Sequence, residues 1–125
     1  MCMDLSPFFR SIIDQDPMPV VICDCAHFIV YMNPAAVDHY NDRGGKNLVG
    51  MPLFDCHHPR TADIIKKVVD WFAEDKGNNI VHTMYLETYG KDVYMVALRD
   101  TEGNLIGYYE KHESRIRDKS PLYSM

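Results

Sequence analysis

The sequence holds no apolar run near the roughly 20 residues that a helix needs to cross a bilayer, and it opens without a basic start followed by an apolar core. Neither a membrane span nor a secretion signal is expected, so the reading places the chain in the cytoplasm. Positive charge is scarce too: 13 Lys and Arg stand against 18 Asp and Glu, a formal net charge of -5. A nucleic-acid or anionic-lipid surface needs clustered cations, and the one basic cluster, Arg115, Arg117 and Lys119, lies near the end. The polar, glycine-bearing stretch 42–47 has no G-x-G-x-x-G or G-K-S/T run, so it offers no phosphate cradle. C-x-x-C-H is absent, which excludes covalent haem. No Ser-His-Asp or Cys-His-Asn grouping sits in a recognisable strand-turn-helix context, and the chain is not expected to be an enzyme. The acidic pairs Asp14 with Asp16 and Glu74 with Asp75 read as solvated helix ends.

What is present fits one domain. A chain of 125 residues with 46% hydrophobic and 25% charged content is long and apolar enough to form a single core. Such a core needs no disulfide staples, so Cys2, Cys23, Cys25 and Cys56 read as free thiols. The organising stretch is 50–72. Ile64, Ile65, Val68, Val69 and Phe72 recur on one stripe of a 3.6-residue helix, leaving Lys66, Lys67 and Asp70 to water. Pro59 suits the first turn, Thr61 or His58 the N-cap, Asp63 the positive dipole end, and Gly77 the C′ position.

Ahead of it, Ser6-Pro7 predicts an N-cap and a short amphipathic helix carrying Leu5, Phe8, Phe9, Ile12 and Ile13, which stops before Pro17. Apolar runs at 18–23 and 28–32, separated by Asp24-Cys25-Ala26-His27, predict an antiparallel strand pair. Asn33 should cap a helix begun by Pro34. Runs at 80–87, 93–99 and 105–111 predict a three-strand meander turning at Tyr89-Gly90-Lys91 and at 100–104. The connections are too short for parallel crossovers. The expected fold is therefore α+β: a single antiparallel five-stranded sheet with helices packed on one face. The division is an amphipathic helix over 1–16, a core domain over 17–114 and a flexible tail over 115–125.

Several residues invite a functional reading. Cys23, Cys25 and His27, joined by Cys56, His57 and His58, would exceed the four ligands of a zinc site. The C-x-C-x-H spacing on a strand is not that of a structural zinc turn, however, and no metal site is assigned. Eight methionines are many for this length. Met32, Met51, Met84 and Met95 fall where sheet and helices should meet, and thioethers suit a plain core or a deformable cavity alike. Met32, Phe54, Met84 and Met95 are the candidate cavity lining, with Trp71 at its edge. Cys56, His57 and His58, beside the positive end of the main helix, form the candidate sensitive hinge, where a thiol's pKa falls and an imidazole stays neutral.

The pattern resembles the PAS family of small sensory domains over roughly residues 5–114. Met18-Pro19-Val20-Val21-Ile22 is similar to the family's opening strand, Ile29-Val30-Tyr31-Met32-Asn33-Pro34-Ala35-Ala36 to its I-x-Y-x-N-x-A segment, Leu48-Val49-Gly50 to its L-x-G, and 100–107 to its closing hairpin. Cys56-His57-His58-Pro59 resembles a C-H-x-P variant of some bacterial members. The light-sensing LOV branch holds its cysteine within G-x-N-C-R-F-L-Q. Here Gly50-Met51-Pro52-Leu53-Phe54-Asp55 stands instead and Cys56 comes three places too late, so flavin photochemistry is not expected.

The resemblance implies a sensor in which a small apolar ligand, or a redox change, alters the central helices. It also admits haem held by His57 or His58, although two adjacent histidines do not share a helical face and a capping or packing role is the simpler one. The family's D-I-T-like junction to an output module is replaced by Glu110-Lys111-His112-Glu113-Ser114, so the expected partner is a signalling protein acting in trans. A homodimer through the N-terminal helix is expected as well. The rival is a ligand-free dimerisation or interaction module of the same fold.

Overall fold

The computed structural model describes residues 3–123, and at Cys56 the backbone alone; Cys2 lies outside the described residues. The elements are α1 (Ser6–Gln15), β1 (Val20–Asp24), β2 (Ile29–Met32), α2 (Pro34–His39), α3 (Pro59–Glu74), β3 (Ile80–Leu86), β4 (Lys91–Arg99) and β5 (Leu105–Ser114). Single 3₁₀ turns fill the path from α2 to α3, at Asn41–Arg43, Gly45–Leu48 and Leu53–Cys56, and another, Glu87–Tyr89, precedes β4. All five strands form one antiparallel sheet in the order β2-β1-β5-β4-β3. Strand β5 enters between β1 and β4, and so joins the N-terminal hairpin to the C-terminal meander.

Alternation along the strands gives the sheet an inner face. Val21 and Cys23 of β1 pair with Glu110 and Tyr108 of β5, which in turn pair with Met95 and Ala97 of β4. All of these but Glu110 meet α3 in one cluster that includes Ile29, Met32, Ala36, Leu53, Ile65, Val69 and Phe72. Helix α3 buries Ala62, Ile65, Val69 and Phe72. Ile64, expected on that stripe, lies about 100° round the helix from Ile65 and is 40% exposed. Trp71, expected at a cavity edge, sits outward against Phe72, with ring centroids 5.8 Å apart.

The ends of the elements follow local hydrogen bonding. Pro34 opens α2 and the Asn33 side chain accepts from the Ala36 N–H, as its sequence predicts. Helix α3 begins at Pro59 with His58 as N-cap, its Nδ1 accepting from the Arg60 N–H at 3.1 Å. Its other end falls at Glu74, earlier than the expected stop at Gly77. Arg99 takes the place of a glycine cap: its Nη2 donates to the carbonyl of Phe72, one of the last-turn groups that a helix end leaves without partners, and to those of Asp75 and Asn78 in the connection beyond. Ser6 does not cap α1; it is the first helical residue, and its N–H donates to Asp4 Oδ1 instead. Strand β1 starts at Val20 rather than at 18, after Pro19, which has no N–H for the ladder.

Helix α1 stands apart from this core. It buries no residue, and Phe8, Phe9 and Ile12 are 57%, 57% and 71% exposed. Its C-terminal half is fastened by polar contacts. Tyr31 donates to Asp14, Arg10 lies over the Tyr31 ring, and the Asn33 amide donates to the carbonyls of Ile13 and Asp16. No helix among the described residues is long and apolar enough to cross a membrane.

Candidate functional site

Among the described residues, two spaces open on the inner side of the sheet, and neither is lined by the apolar stripe of α3. The first is enclosed by Val21, Cys23, Ile29, Met32, Leu53 and Tyr108 and measures about 10 Å³. That is the room of a single water molecule at most. The second is a cleft of about 460 Å³ between the inner ends of β3, β4 and β5 and the path from α2 to the first turn of α3. Its size falls in the range of small-molecule sites. Tyr40, His57 and Glu110 line both and so form the wall between them.

The cleft gathers four histidines that are scattered in sequence. His39 ends α2, His57 and His58 precede α3, and His112 comes from β5, where its register partner is Val93. Met84, Leu86 and Val93 supply an apolar floor, and Asp42, Arg43, Thr61, Tyr89 and Glu110 complete the walls. Leu53 provides a carbonyl oxygen 3.0 Å from His57 Nδ1. A carbonyl only accepts, so Nδ1 carries a ring hydrogen. His58 has the opposite tautomer, because its Nδ1 accepts from the Arg60 N–H and the proton must sit on Nε2. Burial, followed by the charges of His112, Lys91 and Arg43, holds the His39 imidazole below its usual range. His112 is 7% exposed; its Nε2 lies 3.6 Å from Glu110 Oε1, and its buried Nδ1 has no hydrogen-bond partner among the described residues.

The candidates from sequence distribute between these places. Met32 lines the small cavity and Met84 the cleft. Met95 is buried in the core and lines neither, and Phe54 packs at the core's edge with its ring 4.7 Å from that of His27. Trp71 lines neither space. His57 belongs to both, His58 to the cleft, and Cys56 closes the 3₁₀ turn Leu53–Cys56 immediately before them. Among the described residues no three His, Cys, Asp or Glu side chains group as metal ligands. Cys23 is buried and Cys25 exposed, and burial together with Asp24 pushes the Cys25 thiol up, away from a reactive thiolate.

Sequence reasoning did not single out His39, Arg43, Glu110 or His112. The signal for the last two lay in the alternation of β5, which puts 108, 110 and 112 on one face. His27, weighed from sequence only as a ligand beside Cys23 and Cys25, has its Nδ1 2.9 Å from the hydroxyl of buried Tyr108 and a backbone φ of 69°, a left-handed turn that a non-glycine residue rarely adopts.

No protein-family model and no curated protein matches the sequence. Solved structures do. The PAS domain of a protein from Colwellia psychrerythraea is 16% identical, with 89% of this chain and 97% of that one covered at a TM-score of 0.66. The PAS domain of BvgS from Bordetella pertussis is 17% identical over 94% of this chain and 90% of that one, with a TM-score of 0.62. Aer2 from Vibrio cholerae, described as a dual PAS-haem oxygen sensor, is 17% identical over 79% of this chain and 95% of that one, with a TM-score of 0.56. Sheet order, inner-face helices and these likenesses define a small α+β domain. The chain has the PAS fold.

Proposed function

We propose that this chain is a cytoplasmic sensory domain without enzymatic activity of its own, in which a small molecule held in the cleft biases the segment from α2 to the start of α3. The observation that carries this reading is the cleft itself: about 460 Å³, bounded on one side by rigid sheet and on the other by short 3₁₀ turns. The first two of those turns bury little, with no buried residue in Asn41–Arg43 and Gly45 alone in Gly45–Leu48, while Leu53 anchors the third in the core. A ligand that bridges sheet and turns has different contacts in each arrangement of the turns, which is the requirement for a population shift. A signalling protein bound in trans is the proposed reader; neither nucleic acid nor membrane is proposed as a partner. The test is native mass spectrometry of the purified chain, followed by a metabolite screen read by amide NMR. A retained small-molecule mass, or shifts concentrated at residues 39–43, 57–61 and 110–112, is expected; a chain that retains nothing and responds to no metabolite overturns the reading.

The ligand-free interaction module keeps one observation in its favour, the closure of the apolar cavity to about 10 Å³. Haem, which the likeness to Aer2 raises, needs a flat apolar slot. His57 keeps its Nδ1 hydrogen on the Leu53 carbonyl, but the apolar cavity is closed and the open cleft is walled by Asp42, Arg43, Glu110 and four histidines. The residues present do not fit the group. A redox role of Cys56 remains a separate proposal, judged by whether its alkylation outpaces that of Cys23 and Cys25.

Self-association through α1 is part of the same reading. Its uncovered Leu5, Phe8, Phe9 and Ile12 make the kind of apolar patch that marks an interface. Sedimentation should find a dimer at tens of micromolar, and Phe9→Asp should weaken it by at least about tenfold, since a buried unpaired carboxylate costs well over 1.4 kcal/mol. A monomer at every concentration, or an unaffected Phe9→Asp dimer, would remove α1 from the interface.

A further inference from the structure

His27 sits in the turn between β1 and β2, in the left-handed backbone region. That conformation is costly for a residue with a Cβ and persists only where the surroundings hold it. Three contacts hold it here. The His27 carbonyl accepts from the Leu53 N–H at 2.7 Å, the ring centroid lies 4.7 Å from that of Phe54, and Nδ1 is 2.9 Å from the Tyr108 hydroxyl. Two of these reach the 3₁₀ turn Leu53–Cys56, which leads into α3, and the third reaches β5 in the middle of the sheet.

We infer that His27 is an acid-sensitive latch: its neutral ring fastens the 3₁₀ turn Leu53–Cys56 to the sheet, and protonation of the ring releases that turn. The chemistry lies in the contact with Tyr108. Burial first, and then Cys23, holds this phenol above its usual range, so it keeps its hydrogen. A neutral imidazole can accept that hydrogen at Nδ1, whereas a protonated one has a hydrogen on each nitrogen and accepts nothing. The phenol hydrogen is then left to Cys23, its register partner's side chain on β1, and a thiol sulfur is a weak acceptor. Charge works in the same direction. Lys66 of α3 lies over the Phe54 ring at 5.0 Å from the centroid. Burial, followed by Lys66, holds the His27 imidazole below its usual range, against the opposing pull of Asp24 on β1 and Asp70 on α3. Asp24 already accepts from the N–H groups of Ala26 and Phe28, and Asp55, on the turn itself, is exposed. The released state therefore binds the proton more tightly. The latch is whole above the ordinary imidazole value of about 6.5 and is lost as pH falls below it. It needs no molecule in the cleft, so its failure would leave the sensory reading standing.

Imidazole NMR titration and amide hydrogen exchange on the whole chain test it. The His27 ring should titrate below the usual imidazole range, and protection of the Leu53 N–H should fall several-fold between about pH 7.5 and about pH 5.5. Asparagine tolerates the left-handed backbone and does not titrate, so His27→Asn should abolish that fall. Lys66→Gln, at an exposed position, removes the neighbouring cation and should move both the ring's midpoint and the loss of protection to higher pH. A ring that titrates in or above the usual range, a Leu53 amide equally protected at both pH values, or an unmoved midpoint in Lys66→Gln overturns the latch. So does a fall that persists in His27→Asn, which would belong to another histidine such as His57, whose Nδ1 is 3.0 Å from the Leu53 carbonyl oxygen. Should the asparagine disturb the turn, the ring titration and Lys66→Gln still decide the matter.

Discussion

Asn33→Ala is expected to lower the unfolding free energy by about 3 kcal/mol, the cost of leaving several buried polar groups without partners. Asn33 is fully buried. Its Oδ1 accepts from the N–H groups of Val20 and Ala36, each at 2.9 Å, so one atom starts β1 and caps α2. Its Nδ2 donates to the carbonyls of Ile13 and Met18 at 2.9 and 3.0 Å, and to that of Asp16 at 3.4 Å. Alanine abolishes all five bonds and leaves a void. Asn33→Asp separates the two halves: the cap and the strand start survive, while a carboxylate now faces the carbonyls that held the end of α1. Urea unfolding of the three proteins, with circular dichroism of the helical content, measures both. A loss under 1 kcal/mol for alanine would mean that the turns re-satisfy these groups by themselves. Because α1 is the proposed partner surface, Asn33→Asp should also loosen the dimer.

Gly107→Ala is expected to cost about 3 kcal/mol or more, the upper end of overpacking a well-packed site. Gly107 pairs with Asp24 where β5 runs beside β1, and a Cβ built there would stand 2.2 Å from the Cys23 carbonyl oxygen. That atom is backbone inside the ladder, so no side-chain rotation relieves the clash and the two strands must part. The neighbouring Ile106, 56% exposed, provides the control, and Ile106→Ala should stay within about 0.5 kcal/mol. A Gly107→Ala protein that unfolds at the same denaturant concentration as the parent would show that the approach of β1 and β5 is adjustable. A parting there opens the sheet beside Tyr108 and the small cavity, so ligand binding in the cleft should be measured on the same variant.

The strand runs, the break at Asn33-Pro34 and the apolar stripe of α3 were legible because each is a local pattern of period 2 or 3.6. The antiparallel α+β class followed from the short connections. His58 was legible as a cap because capping is settled within three residues. The helix end was not: Gly77 had the local chemistry of a stop, but Arg99, brought over from β4, supplied a donor to the last-turn carbonyl of Phe72 and ended α3 at Glu74. Ile64 fell off the stripe because only the tilt of α3 on the sheet decides which edge of a wide stripe is covered.

The site divides in the same way. His57 and His58 drew notice as adjacent titratable groups before a proline, and both line the cleft. Met95 and Phe54 had equal claims by composition, yet packing made one a core residue and left the other at the core's edge, because an alternation pattern gives a face and not a depth. His112 meets Glu110 within β5, while His39 and Arg43 reach the same cleft only through the turns after α2. Local sequence determined which segments are helix and strand, where most of them begin, and which faces are apolar, since those depend on neighbours a few bonds away. The five-strand order, the closed cavity, the open cleft and its four histidines were decided by tertiary structure, because they depend on contacts between side chains far apart in the chain.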